Sequence, residues 1–124
     1  MTPAHPTAEA LTRRAFAGVS AYVIVWQGQP VGRVAFREDD GYLRCLLTVA
    51  GQEVGDYWDR PADPYAETYA VQTASTWLRA PAVPDYETDG AHVSRVGLAL
   101  YDIVAGETWQ AALRSAGYDV WQAL

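Results

Sequence analysis

The fold is decided by residues 20–49, which read SAYVIVWQGQPVGRVAFREDDGYLRCLLTV. β-Branched and aromatic residues are concentrated in three runs there, as is typical of strands. Gly28 and the pair Asp40-Gly41 separate the runs, and an Asp-Gly pair is a strong short-range hairpin signal. In the third run, apolar residues at odd positions alternate with more polar ones, the period of a half-buried strand. The stretch therefore predicts an antiparallel meander from about residue 20 to residue 50.

The segments on either side of the meander predict helices and two further strands. Gln52–Trp58 suits a fourth strand, and 118–124 suits a final strand able to pair with the meander. Helices are predicted over 7–17, over 64–79, from a cap at Asp89 to a stop at Gly106, and over 107–115. We expect one α+β domain over 1–124, an antiparallel sheet of three to five strands with helices packed on one face, after a disordered leader at 1–6.

Length and composition restrict the class of protein. The chain has 124 residues, enough for one domain, and it has no apolar run long enough for a transmembrane helix. Its N-terminus lacks the pattern of a secretory signal, so we expect a cytoplasmic protein without membrane contact. The formal net charge of −6 disfavours a general nucleic-acid binder. The absence of Lys and Asn indicates GC-rich coding in a bacterium or phage.

No motif indicates an enzyme, a metal or a cofactor. A P-loop, a dinucleotide fingerprint and a nucleophile elbow are all missing. The potential nitrogen and sulfur ligands His5, Cys45 and His92 are widely scattered, and a single cysteine excludes an internal disulfide. Cys45 lies on the predicted inward face as an inert thiol, and His92 is predicted to be exposed or to cap a helix. We therefore expect a protein that is not an enzyme and has no cofactor.

The acidic residues are concentrated in the middle of the chain. Residues 53–102 hold nine acidic residues and three Arg, a net charge of −6, whereas the remainder is neutral. In one interpretation these acids cap helices and keep the surface soluble. In the other they form a partner-binding surface for a basic, nucleic-acid-binding protein, with tyrosines and Trp58 as anchors. The predicted surface comprises Glu53, Asp56, Tyr57, Trp58, Asp59, Asp63, Glu67, Asp85, Tyr86, Glu87 and Asp89.

Two alternatives remain open. The predicted outward face of the meander carries Arg33, Arg37, Tyr42 and Arg44. Arginine interleaved with aromatic residues on a sheet can hold single-stranded nucleic acid, although these arginines can equally pair with the acids at 38–40. The other alternative is a small-molecule-binding domain or enzyme whose pocket is lined by Trp77 and Trp109.

Two stretches carry a resemblance. Residues 21–37, AYVIVWQGQPVGRVAFR, and 108–124, TWQAALRSAGYDVWQAL, resemble small accessory open reading frames of bacterial phages and plasmids. The resemblance implies a mobile-element context and no catalytic residue. Together with the charge pattern it leads to the prediction of a non-enzymatic inhibitor of a host nucleic-acid-handling complex, of the anti-CRISPR or anti-restriction type. An exposed terminal strand leaves a homodimer open.

Overall fold

The computed structural model describes residues 20–39, 41–59, 65–79 and 90–123, with only the backbone of Asp39. These residues form five strands, β1 (Ser20–Trp26), β2 (Gln29–Asp39), β3 (Tyr42–Val49), β4 (Gln52–Trp58) and β5 (Asp119–Gln122). They also form three helices, α1 (Ala66–Ser75), α2 (Gly90–Tyr101) and α3 (Trp109–Ser115). The predicted leader at 1–6, the predicted helix at 7–17 and the predicted cap at Asp89 lie outside the described residues.

The five strands form one sheet in the order β4-β3-β2-β1-β5, and all neighbours are antiparallel. β1 to β3 are the predicted meander, β4 is the predicted fourth strand, and β5 pairs with the meander at β1, so these predictions are confirmed. The pairs Gln27-Gly28 and Ala50-Gly51 connect strands with a positive φ at both positions. Two-residue type I′ hairpin turns require this combination, because it matches the twist of the strands.

The strand register divides the side chains between two faces of the sheet. Residues paired across antiparallel strands point to the same side, and successive residues along a strand alternate. The inner face carries the buried apolar side chains of Ile24, Val34, Phe36, Leu43, Cys45, Leu47, Val49 and Val120. The outer face carries Ala21, Val23, Val25, Arg33, Ala35, Arg37, Tyr42, Arg44, Leu46, Tyr57 and Trp121.

All three described helices contribute to one core with the inner face. Their buried members are Ala66, Ala70, Val71, Ala74, Val93, Val96, Leu100, Trp109 and Leu113. Three alanines of α1 allow that helix to lie close to β3 and β4. The backbone N–H of Trp109 donates to Thr68 Oγ1 at 3.2 Å and thereby joins α3 to α1. The predicted α+β sheet with helices on one face is therefore confirmed.

Two predicted helices are shorter than expected. α1 ends at Ser75 rather than at residue 79, so Trp77, whose spacing from Ala66, Ala70 and Ala74 is helical in the sequence, lies past the helix and is exposed. α2 ends at Tyr101 instead of continuing to Gly106. Val104 therefore lies past the end of the helix, and the side chains of both Tyr101 and Val104 are exposed rather than packed in the core. Within the described part of the chain, no helix is both long enough and apolar enough to cross a membrane.

Candidate partner-binding surface

The residues of the predicted acidic surface do not lie on one face. Alternation along β4 sends Glu53 and Tyr57 to the outer face, and Asp56 and Trp58 to the inner side beside α1. Asp59 follows the strand directly and is exposed. Asp63, Asp85, Tyr86, Glu87 and Asp89 lie outside the described residues.

α1 packs against the inner side of β4, and the segment after α1 contacts Asp56 on that strand. Asp56 Oδ2 accepts a hydrogen bond from Trp77 Nε1 at 2.7 Å, and its Oδ1 accepts one from the backbone N–H of Tyr57 at 2.7 Å. The ring of Trp58 lies 4.8 Å from that of Tyr69 in α1. Asp56 and Trp58 are thus engaged within the fold.

A side-chain amide makes a second connection at this edge of the sheet. Gln52 Nε2 donates to the carbonyl oxygen of Arg79 at 2.7 Å, and Gln52 Oε1 accepts from the backbone N–H of Arg79 at 2.9 Å. The paired bonds imitate a strand ladder and satisfy backbone groups that follow α1.

Glu67, another member of the predicted acidic surface, lies half-buried in the first turn of α1. Burial raises the pKa of its carboxyl. The buried indole N–H of Trp109 makes no hydrogen bond of ordinary geometry, but it interacts with Glu67 enough to oppose part of that rise. Burial, and secondarily the Glu67 carboxylate, raise the pKa of Tyr22 and of the Cys45 thiol. Glu67 therefore lies half-buried on the side of α1 that faces the sheet and Trp109, and not on an open surface.

The exposed tyrosines and an arginine meet on the outer face of β3 and β4. Arg37, Arg44 and Tyr57 are direct neighbours across β2, β3 and β4. The guanidinium carbon of Arg44 lies 5.7 Å from the centre of the Tyr57 ring, within cation–π range. The Tyr42 ring meets the Tyr57 ring edge-on, with 6.4 Å between their centres. We call Tyr42, Arg44 and Tyr57 the Tyr/Arg patch.

The Tyr/Arg patch is open to solvent on a rigid base. Tyr42 and Tyr57 are 48% and 49% exposed, although both belong to strands of the sheet. Glu53 is exposed on the same face, and Asp59 is exposed at the end of β4. Arg33 lies further along the outer face, paired with Val23 on one side and Thr48 on the other. The patch thus combines members of both predicted sets, the acidic one and the Arg/aromatic one.

The structure contains a buried polar cluster around His92 and Tyr118 that the sequence did not predict. His92 is only 7% exposed, and its Nδ1 lies 2.8 Å from the hydroxyl of Tyr118, so the prediction of an exposed or capping histidine was wrong. The Trp26 ring packs against the rings of His92 and Tyr118, and the guanidinium carbon of Arg95 lies 5.1 Å from the centre of the Trp26 ring. Burial raises the pKa of Tyr118 to about 12, with Arg95 opposing part of the rise. These residues are far apart in the sequence, so spacing gives no signal for them.

The other predicted site residues are a buried thiol, two tryptophans and the potential metal ligands. Cys45 lies in the core as predicted, and burial raises the pKa of its thiol, which disfavours the reactive thiolate. Trp109 packs against Tyr22 and Phe36 in the core, whereas Trp77 lies on the surface at Asp56, so the two indoles do not face one common pocket. Among the described residues, no three His, Cys, Asp or Glu side chains are grouped to hold a metal ion.

No known protein family, curated protein or solved structure matches this chain.

Proposed function

We propose that this protein is a non-enzymatic interaction protein that binds a protein partner through the Tyr/Arg patch. The observation that supports the proposal is the contact of half-buried Arg44 with exposed Tyr57, and of Tyr57 with exposed Tyr42, on two strands of the sheet. Tyr and Arg are enriched among the residues that supply most of the binding energy in protein interfaces. Held on strands, they lose little conformational freedom when a partner binds.

The proposed partner is a basic protein. The chain has a net charge of −6, and exposed carboxylates lie on the strand that carries Tyr57, at Glu53 on the same face and at Asp59 directly after its end. Complementary charge speeds encounter, while the desolvated centre of an interface supplies affinity. In its most specific form, the proposal is inhibition of a host nucleic-acid-handling complex through its basic surface. The charge of the chain and the resemblance to mobile-element accessory proteins support that form.

A second candidate is a single-stranded nucleic acid. Arg37 and Arg44 lie directly opposite each other across β2 and β3, and the Tyr57 ring follows in the same row. The Arg44 guanidinium offers a positive charge for a phosphate, and the Tyr57 ring offers a stacking surface for a base. This candidate uses the same patch but requires phosphate as the ligand group.

The test is affinity capture from a bacterial lysate with the double variant Arg44→Ser/Tyr57→Ser. The matched control is Tyr101→Ser, since Tyr101 is an exposed tyrosine on α2, on the other side of the molecule. Captured proteins are identified by mass spectrometry at low and moderate salt, with and without nuclease treatment. A labelled single-stranded oligonucleotide is titrated in parallel.

The proposal predicts capture of a basic protein that survives nuclease treatment, weakens with salt, is lost in the double variant and is kept by the Tyr101 control. Salt-dependent oligonucleotide binding that is lost in the double variant would replace it with the nucleic-acid candidate. Capture by the double variant equal to that of the wild type would contradict both.

The acidic contribution is tested with Glu53→Gln/Asp59→Asn. These two carboxylates are exposed, whereas Asp56 accepts a hydrogen bond from the Trp77 indole, so replacing Asp56 would disturb folding together with binding. We expect a slower association rate with the basic partner and a weaker salt dependence in this variant.

A further inference from the structure

Two residues on the outer face are buried although the three described helices pack on the other side. Val25 is 0% exposed and Ala21 is 5% exposed. Pairing of Val25 with Asp119, and of the preceding Ile24 with the core residue Val120, assigns Val25 to the outer face. Neither Val25 nor Ala21 belongs to the core that the helices form with the inner face. A valine on an open sheet face would keep part of its surface in water, so something covers this half of the face.

We propose that the N-terminal segment of the chain, residues 7–17, packs as an amphipathic helix over the β1–β2 half of the outer face. The segment reads TAEALTRRAFA, and Leu11, Ala15 and Phe16 fall on one side of a helix. Glu9 and Arg13 are four residues apart, in the favourable order for a helical ion pair. A helix this short is marginal alone and needs a surface to bury its apolar side.

The dimensions and the connection fit this occupant. Eleven helical residues extend about 16 Å, and the seven residues of β1 extend about 23 Å at about 3.3 Å each, so a helix lying along β1 fits its length. The segment joins β1 through Gly18 and Val19, directly before Ser20. Glycine permits the reversal that a helix needs to fold back over the strand that follows it.

The surface itself suits a helix. Ala123 directly after β5, Ala21 on β1 and Ala35 on β2 are neighbours in one row, so a helix lying over β1 can approach the sheet closely there. Val23 and Val25 border this row with apolar surface. The Tyr/Arg patch on β3 and β4 stays outside the covered half, so this inference does not depend on the proposed function.

The experiment measures the reactivity of a thiol placed under the proposed helix. Val25→Cys is made in the full chain, and its rate of reaction with an aromatic disulfide reagent is measured under native conditions. The natural Cys45 is buried in the core and reports unfolding in the same samples. The rate is compared with that after Leu11→Asp/Phe16→Asp, with Ala10→Asp on the opposite side of the helix as the control.

We expect the introduced thiol to react about tenfold faster or more once Leu11 and Phe16 are replaced, because the cover opens locally. Ala10→Asp should leave the rate nearly unchanged, and Cys45 should stay unreactive in all variants. An equal rate with and without the Leu11 and Phe16 substitutions would overturn the proposal. Protection that falls on dilution of the protein would also overturn it, since a second copy would then be the cover.

Discussion

The two faces of one sheet differ in how their residues are used. On the inner face every strand contributes apolar side chains to a continuous core beneath three helices. On the outer face, β1 presents small and apolar residues and β2 carries Ala35 between Arg33 and Arg37, while β3 and β4 carry the Tyr/Arg patch. We propose that the same strands serve stability on one side of the sheet and, through the Tyr/Arg patch, recognition on the other. Substitutions on the two faces should therefore separate folding from binding.

The largest difference is expected between two tryptophans. Trp109 is 1% exposed and packs against the inner face, whereas Trp121 on the outer face is 56% exposed. Trp109→Ala should lower the free energy of unfolding by about 3–5 kcal/mol, because it leaves a cavity. Trp121→Ala should cost less than about 1 kcal/mol. Urea unfolding followed by circular dichroism measures both, and equal losses would contradict the division of the two faces.

The next effect concerns two glycines. A Cβ on Gly32 would lie 2.5 Å from the carbonyl oxygen of Thr48 on the neighbouring strand, too close for the sheet to accept without shifting. Gly32→Ala should cost about 1–3 kcal/mol through overpacking. In contrast, a Cβ on Gly97 in α2 meets nothing within 4 Å, and Gly97→Ala should stabilise by about 0.5–1 kcal/mol. Thermal melts should move in opposite directions, and a stabilised Gly32 variant would show that the strands are less tightly packed than described.

A smaller effect separates the two sides of β4. Asp56→Ala removes the acceptor of the Trp77 indole N–H and should lower the free energy of unfolding by about 1 kcal/mol. Asp59→Ala, the matched change at an exposed carboxylate, should stay within about 0.5 kcal/mol of the wild type. Chemical denaturation of the two variants in parallel decides the point. Loss of partner capture with unchanged stability in the Asp56 variant would return Asp56 to the binding surface.

The smallest expected effect is a pH dependence of the free energy of unfolding, caused by the half-buried carboxyl of Glu67. Burial raises the pKa of Glu67 above its ordinary value of 4.5, so the folded chain holds this proton more tightly than the unfolded chain. The resulting destabilisation is absent at low pH, sets in as pH rises above the unfolded pKa, and is complete above the folded pKa. Glu67→Gln should therefore gain stability relative to the wild type as pH rises from 4 to 8.

The control for this pH dependence is Glu53→Gln, which changes an exposed carboxyl on the outer face. A difference between the Glu67 variant and the wild type that is constant with pH would contradict the buried position of this carboxyl. The unfolding midpoint in urea, measured at each pH, supplies the data.

Much of the fold was predictable because its signals are local. Hairpin turn residues and period-two alternation determine the meander, and Gly117 before 118–124 indicates the final strand. Helix ends were less predictable, since the apolar spacing of Trp77 and Val104 continues past the residues where α1 and α2 stop.

The candidate site could not be predicted from residue spacing, because it depends on strand register and on the packing of distant segments. Successive residues of β4 point to opposite faces of the sheet. Asp56 and Tyr57 are therefore adjacent in the sequence but lie on different faces. The Tyr/Arg patch joins residues of two strands whose register only the sheet reveals. The contact of His92 with Tyr118 spans 26 positions and depends on how α2 packs near β5.

The most direct test of the account measures stability and binding on the same samples of Arg44→Ser/Tyr57→Ser. The account predicts a free energy of unfolding within about 1 kcal/mol of the wild type, because both side chains lie on the outer face and are at least partly exposed. It also predicts the loss of partner capture, with capture retained by Tyr101→Ser. Full capture by the double variant, with its fold intact, would contradict the assignment of recognition to the Tyr/Arg patch.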